Sequence, residues 1–165
     1  LRFFEMDVEL LFSRQPFVAS DVSRFSFIEP NHRIALGELP PEHRLPWPTK
    51  LAGKNVVVEA VGHGLRKAKV HYANDLTMNL ANQVGQIRIL RSSDRAALVA
   101  TYVKVYARKH GGAVEFYKDG YTDLRGWFDY ASLSTTDLDH VERFAILVCS
   151  DQAGAAILEA SPPVR

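Results

Sequence analysis

Apolar and polar residues alternate with a period of two along most of the chain, which is typical of strands with one buried face. In residues 101–107, for example, two tyrosines and a lysine would lie on one face and the valines on the other. Further segments with the length and pattern of strands are residues 8–12, 24–28, 55–61, 67–72, 76–80, 86–90, 113–117, 127–130, 144–149 and 155–159. Only residues 137–141, which follow a Ser/Thr-rich capping sequence, suggest a turn of helix. The pattern therefore predicts an all-β protein.

The strands form two sets, which meet at residues 82–85. Residues 29–54 hold five prolines and are predicted to form a long surface connection, because proline lacks the backbone donor that a central strand needs. Short strands separated by frequent turn signals are typical of sandwiches. We therefore expect two tandem antiparallel β-sandwich domains, residues 1–83 and residues 84–165.

Composition excludes several classes of protein. Of the 165 residues, 47% are hydrophobic and 24% are charged, so the chain can bury a core and is not intrinsically disordered. A net charge of +1 gives no support for nucleic-acid binding or for a basic membrane-binding surface. The single cysteine, Cys149, cannot form an intrachain disulfide, and no apolar run has the ~18 residues of a membrane span. The chain opens on Leu1 without a signal-peptide pattern, so we expect a processed chain or a piece of a longer one.

One segment in the second half, Thr122-Asp123-Leu124-Arg125-Gly126-Trp127-Phe128, carries a family resemblance. Together with the strands around it, it makes residues 85–159 resemble the carboxypeptidase-regulatory-like and Cna-B-like sandwiches, which have a prealbumin-type fold. The first half more loosely resembles macroglobulin-type or other immunoglobulin-like modules, through the strand and turn at residues 54–62. Such resemblance implies a sandwich fold and an accessory role, because a fold does not by itself specify a function.

The same segment predicts a structural turn. Thr122 and Asp123 can bond to the backbone of the turn, and Gly126 supplies a backbone conformation with positive φ. The rival interpretation makes Asp123 and Asp129 the acid and base of a glycoside hydrolase, which needs one carboxyl group with a raised pKa. We favour the structural interpretation, because Asp is common at turns for its backbone bonding alone.

Candidate cofactor ligands are few. Asp137, Asp139 and Glu142 could offer oxygens to a structural calcium ion, but their spacing does not match an EF-hand loop. The six histidines are scattered, and Cys149 ends an apolar strand, where a buried and inert thiol is expected. No nucleophile elbow, P-loop or dinucleotide fingerprint is present. We therefore predict no enzyme activity, no catalytic residue and no cofactor.

Three aromatic residues, Tyr117, Tyr121 and Trp127, flank one turn region and form a candidate binding surface. An exposed row of aromatic rings could stack on sugars or anchor a protein partner. The alternative, which we favour, is that these residues pack on the core or at the domain joint, since large aromatic side chains are mostly buried.

These observations together predict a non-catalytic β-sandwich module of a larger, multi-domain protein, which acts in adhesion, scaffolding or domain spacing. Its partners would be neighbouring domains or other proteins. The alternative is a carbohydrate-binding or accessory domain attached to a hydrolase. We expect an extracellular or cell-surface location. A cytoplasmic location stays open, because a single cysteine does not distinguish an oxidising compartment from a reducing one.

Overall fold

A computed structural model of the chain describes residues 1–17, 29–38, 40, 42–134 and 136–163, so the strand predicted at residues 24–28 lies outside the described part. The strands are β1 (Arg2–Glu5), β2 (His32–Arg33), β3 (Val56–Gly62), β4 (Leu65–His71), β5 (Leu76–Ala81), β6 (Gln86–Arg91), β7 (Tyr102–Lys109), β8 (Val114–Tyr121), β9 (Trp127–Asp129), β10 (Val141–Ser150) and β11 (Gly154–Ala160). One α-helix, α1, spans Val8–Arg14, and short 3₁₀ helices span Thr49–Leu51, Asn82–Val84 and Thr136–His140. Every pairing between the described strands is antiparallel, which confirms the predicted all-β class.

Helix α1 is a departure from the prediction, which placed a strand at residues 8–12. Asp7 caps the helix by accepting a hydrogen bond from the Leu10 backbone N–H at 2.9 Å, and Val8 and Phe12 are buried. The apolar positions at residues 8, 11 and 12 also fit the spacing of one helix face. An apolar run this short does not distinguish a strand from a helix, so the cap and the packing surface decide.

The first half forms one four-stranded sheet in the order β2-β1-β3-β4. Phe3, Leu51 and Val56 make a small core on one side of it. Glu59 is a buried carboxylate, 2% exposed, which forms ion pairs with Arg2 at 3.5 Å and with Arg66 at 3.0 Å. The predicted connection over residues 29–54 contributes β2, and its Trp47 ring packs edge-on against Phe3.

The second half is a complete seven-stranded sandwich. A four-stranded sheet in the order β11-β10-β7-β8 faces a three-stranded sheet in the order β5-β6-β9. The largest hydrophobic cluster in the described residues lies between these two sheets, with side chains from both. Ile87 and Ile89 from β6 and Val103 and Val105 from β7 are fully buried in it, as period-2 alternation requires.

The predicted domain boundary, between residues 83 and 84, falls inside the hairpin of β5 and β6. The 3₁₀ helix at Asn82–Val84 and Gly85, with φ of +65°, connect two strands that pair along their whole length. Leu76, Met78 and Leu80 of β5 pack against the core of the second sandwich. We therefore propose that the junction lies before β5, near residue 75, rather than between residues 83 and 84.

Candidate functional site

Helix α1 belongs to the first half of the chain but packs on the second. Together with Phe17, its Val8 and Phe12 form a buried cluster with Ala145, Leu147 and Ile157 on the outer face of the four-stranded sheet. Phe12 is completely buried, and its ring meets the Tyr106 ring edge-on, with 5.5 Å between centroids. The chain then returns to the first sheet at β2. The helix therefore ties the first sheet to the second sandwich.

The connection between β4 and β5 is fixed to the same sandwich. The Asn74 side-chain amide donates to the Ala155 carbonyl at 3.1 Å, and the Asp75 N–H donates to the Ala153 carbonyl at 2.8 Å. Tyr72 packs against the cluster under α1, where burial raises the pKa of its hydroxyl to about 12. A Cβ at Gly154 would lie 3.0 Å from the Ala73 carbonyl oxygen, so the two segments are in close backbone contact.

These contacts form a joint with two parts, which are α1 and residues 72–75. Both parts pack against neighbouring strands of the four-stranded sheet. Domains in one chain move relative to each other by default, unless the interface between them is large and hydrophobic. Here the apolar cluster under α1 and the hydrogen bonds of residues 74 and 75 act together. Sequence reasoning missed the joint because it assigned residues 8–12 to a strand. The helical spacing of residues 8, 11 and 12, preceded by Asp7, was the available signal.

The three aromatic residues of the predicted binding surface lie in different places. Tyr117 points into the sandwich, where its ring is 5.0 Å from Phe144 and its hydroxyl accepts a hydrogen bond from the Ser132 N–H. Trp127 pairs with Arg88 on the three-stranded sheet, and the guanidinium lies 5.7 Å from its ring centroid. Tyr121 lies on the other sheet, paired with Tyr102, and is 67% exposed. The structure therefore does not join the three rings into one row.

A different aromatic surface surrounds Tyr121. The Tyr121 and Tyr102 rings are 5.6 Å apart, and farther along the same two strands the Phe116 and Tyr106 rings are 6.0 Å apart. We call these four side chains the β8 aromatic surface. The Tyr102 hydroxyl donates to Asp119 at 2.8 Å, and burial together with this carboxylate raises the pKa of Tyr102 to about 12. Alternation along residues 101–107 places the two β7 tyrosines on this face, but the β7–β8 pairing was needed to add the other two.

The turn at residues 122–126 is held by side chain to backbone hydrogen bonds. Asp123 Oδ1 accepts from the Arg125 N–H at 2.8 Å and from the Trp127 N–H at 2.9 Å. Thr122 is buried, and its hydroxyl accepts from the Thr101 N–H and donates to the Leu98 carbonyl. Gly126 has φ of +78°. We propose that these residues have a structural role.

Replacing Asp123 with Ala should lower the midpoint of chemical denaturation, because two backbone N–H groups lose their acceptor. The Trp127 N–H, followed by Arg125, lowers the pKa of Asp123 below its usual range. A depressed folded-state pKa gives stability that is present above the unfolded-state pKa of about 4 and is lost as pH falls through the folded-state value. The difference in midpoint between wild type and Asp123→Ala should therefore shrink below about pH 4. An equal difference at pH 7 and pH 3 in denaturation curves would contradict this role.

The carboxylates proposed for hydrolysis have other partners. Asp123 is bonded within its turn, and its lowered pKa is the opposite of what a general acid needs. Asp129 Oδ1 accepts a hydrogen bond from the Gln86 side-chain amide at 2.7 Å. Half-buried Cys149 has its thiol pKa raised to about 11, mainly by burial, which does not favour a reactive thiolate.

The described residues contain no cluster of metal ligands. Across the described ranges, no three or more His, Cys, Asp or Glu side chains are grouped so that they could hold an ion. Asp137 and Asp139 lie on the 3₁₀ helix at Thr136–His140, and Glu142 lies on β10. The expectation that the protein needs no cofactor stays a prediction. None of the described helices has the length and hydropathy that a membrane crossing requires.

Comparisons with known proteins place both halves of the chain among immunoglobulin-like domains. Residues 75–165 match the family model of the AbpF C-terminal domain, and residues 1–58 match that of the AbpF seventh immunoglobulin-like domain. The chain is 37% identical over 163 residues to actin-binding protein F of Dictyostelium discoideum, an alignment that covers 98% of this chain. The chain spans about 7% of the length of that relative. No solved structure matches the chain.

These matches test several of the predictions made from the sequence. The immunoglobulin-like sandwich is confirmed, whereas the narrower carboxypeptidase-regulatory-like or Cna-B-like type is not. The absence of enzyme activity is confirmed, since the matched domains belong to an actin-binding protein and not to an enzyme family. The extracellular or cell-surface location is wrong, because actin is a cytoplasmic protein and the relative binds actin.

Proposed function

This chain belongs to the AbpF C-terminal domain family, and on that premise we propose that it is a rigid spacer within a larger actin-associated protein. It is a non-catalytic immunoglobulin-like module of a larger protein, and its relative is an actin-binding protein. The proposed role is to hold the first sheet and the second sandwich in one fixed arrangement. Its partners would be neighbouring domains and other proteins of the actin assembly.

The joint formed by α1 and residues 72–75 is the observation that carries this proposal. Val8, Phe12 and Phe17 are each 3% exposed or less against the outer face of the second sandwich. Full burial of a large apolar side chain contributes about 1.5–3 kcal/mol. Detaching the helix would therefore cost several kcal/mol, and an arrangement a few kcal/mol above the ground state is populated at only about 0.1–10%. A linker without this cluster would leave the two units free to reorient.

Carbohydrate binding has less support than the spacer role. That alternative depends on Tyr117, Tyr121 and Trp127 forming one stacking platform. Tyr117 packs on Phe144 inside the sandwich, and Tyr121 and Trp127 lie on opposite sheets. A sugar ring would meet at most one of the three. Adhesion at the cell surface is set aside together with the extracellular location.

Distance measurements between two spin labels test the spacer directly. Lys69→Cys on β4 and Glu142→Cys on β10 place exposed labels on the two units, in a Cys149→Ser background that removes the native thiol. A rigid joint should give one narrow distance distribution. The double variant Tyr72→Ala/Asn74→Ala should broaden the distance distribution, because it removes the contacts that residues 72–75 make at the joint. Leu124→Ala, at a side chain that is 85% exposed, is the control and should leave the distribution unchanged. A broad wild-type distribution would contradict the proposal.

Cosedimentation separates a spacer from an actin-contacting domain. The chain is expected to stay in the supernatant when filamentous actin is pelleted, over concentrations up to about 50 μM, where an interaction of micromolar Kd would be visible. Saturable pelleting with actin would show that this part of the protein binds the filament itself. The role would then be filament contact rather than spacing alone.

A further inference from the structure

The first sheet has an open groove in line with β1, where β1 stops before β3 does. β1 lies between β2 and β3, and it pairs with β3 over Val56–Glu59. β3 continues for three more residues, 60–62, which pair with β4 on their other side. The groove has a volume of about 640 Å³ and is lined by residues 34–36, which follow β2, by residues 60–62 and by Leu1. It therefore has the position of a further stretch of β1.

The hydrogen bonds of Leu1 indicate which backbone groups face this groove. The Leu1 nitrogen donates to the Ile34 carbonyl at 2.7 Å, and the Ile34 N–H donates to the Leu1 carbonyl at 2.9 Å. Because successive residues of a strand bond to opposite neighbours, the backbone of Arg2 then faces Glu59 of β3. The same alternation turns the N–H and C=O of Val61, two residues beyond Glu59, toward the groove. A strand residue placed there would bond to both groups.

Residues that continue β1 upstream would fit the groove in register on both sides. The pairings of β1 with β2 and β3 are antiparallel, so the residue directly before Leu1 would face Val61 and Ala35. The residue before that one would face Gly62 and Leu36. A strand lies ~4.8 Å from each neighbour, and β1 already keeps β2 and β3 apart by this spacing on both sides.

The side chains around the groove favour an apolar residue at the second upstream position. This residue would lie on the same face as Leu1, which packs against the small core of the first sheet. Gly62, opposite to it, has no side chain, and the space above its backbone is open. Leu65, which pairs with Gly62, is 70% exposed, and Leu36 is 38% exposed. A large apolar side chain at this position would cover both leucines and enlarge the core.

The longer polypeptide itself is the occupant that fits best. The chain is a module of a larger protein, and residues 1–58 match an immunoglobulin-like domain. Such domains have two sheets, whereas the described residues of the first half form one, which favours strands contributed from outside the chain. Residues joined to Leu1 by a peptide bond also have a far higher effective concentration at the groove than a separate partner has.

We propose that the residues directly before Leu1 in the longer protein extend β1 and fill this groove. The preceding part of that protein would then enter the first sheet as a paired strand rather than through a flexible linker. This pairing involves the first sheet alone, so it does not depend on the spacer role of the joint at α1.

Amide hydrogen exchange measured by NMR tests the pairing on two chains. One is the 165-residue chain, and the other is the same chain extended by the few residues that its gene encodes before Leu1. The Val61 N–H should exchange at least about tenfold more slowly in the extended chain, because it gains an acceptor. The Ala60 N–H faces β4 and should be protected in both chains. The Arg66 N–H, on the side of β4 where the described residues place no strand, should exchange fast in both.

Replacing Leu65 with Asp tests the register. In the extended chain, this substitution should speed the exchange of the Val61 N–H by about fivefold, because a charge replaces the apolar contact with the second upstream residue. Leu124→Asp, at a side chain that is 85% exposed in the second half, is the matched control and should have no effect. In the 165-residue chain, Leu65→Asp should leave the Val61 rate unchanged, since the groove is open there.

Three results would overturn the proposal. The first is a Val61 N–H that exchanges equally fast in both chains, which would show that the upstream residues do not pair with β3. The second is a Val61 N–H already protected in the 165-residue chain. Protection that rises with concentration would assign the groove to a second copy, and constant protection would assign it to another segment of the same chain. The third is a Leu65→Asp variant of the extended chain that exchanges like the wild type.

Thermal denaturation shows whether each variant is folded. A broad distance distribution between the spin labels on β4 and β10 would contradict the spacer role but would leave the expected exchange rates of Val61 unchanged. Failure of one proposal is therefore distinguishable from failure of the other.

Discussion

Replacing Phe12 with Ala should lower the free energy of unfolding by about 3 kcal/mol, the low end of the range for a buried Phe truncated to Ala. Phe12 is completely buried between the helix and the sheet, and its ring contacts Tyr106. Truncation removes this contact and leaves a cavity beside Leu147 and Ile157. The low end applies because a helix of seven residues can move partway into the cavity. Urea denaturation followed by tryptophan fluorescence measures the change.

The same substitution should loosen the joint. If α1 ties the two units together, Phe12→Ala should broaden the distance distribution between labels on β4 and β10 as well as reduce stability. Leu10→Ala is the matched control, since Leu10 lies on the same helix but is 51% exposed. It should change stability by less than about 0.5 kcal/mol. Equal effects of the two variants would show that the helix does not pack as described.

Replacing Gly126 with Ala should cost about 2–4 kcal/mol, from two separate causes. The first is φ of +78°, which side chains with a Cβ rarely adopt and which costs on the order of 1 kcal/mol. The second is space, because a Cβ would lie 2.5 Å from the Ile89 carbonyl oxygen on β6. That oxygen is backbone, so relief requires movement of the turn or of β6. Ile89 and Gly126 are also joined by a hydrogen bond from the Ile89 N–H to the Gly126 carbonyl at 2.8 Å, which such movement would strain.

Gly112 is the control that separates these causes. Its φ of +84° is close to that of Gly126, but a Cβ there would meet nothing within 4 Å. Gly112→Ala should therefore lose only about 1 kcal/mol, the conformational part. A comparison of the two free energies of unfolding gives the contribution of the close approach to β6. If Gly112→Ala and Gly126→Ala were equally stable, the approach between the turn and β6 would contribute nothing.

Local pattern alone determined most of the strands and one turn. Alternation with a period of two identified β3 to β11 but not β1 or β2, because the side chains of a strand point to opposite faces whatever the strand pairs with. Residues 122–126 were recognisable because side chain to backbone bonding and positive φ are properties of neighbouring residues. Asp123 and Gly126 therefore have the hydrogen bonds and the backbone conformation that their residue types favour. These features require no knowledge of distant contacts.

Tertiary structure decided the features that concern function. Residues 8–12 carry too few apolar positions to distinguish a strand from a helix, and the surface around Leu147 made them a helix. Tyr117 and Tyr121 lie on one strand, yet a bulge and the sheet partners place the first against the core and the second in solvent. The joint and the open edge at β8 depend on strand order, which is set by contacts between residues far apart in the chain. Such contacts leave no local pattern, so the sequence determined the elements and the long-range pairing determined which surfaces stay open.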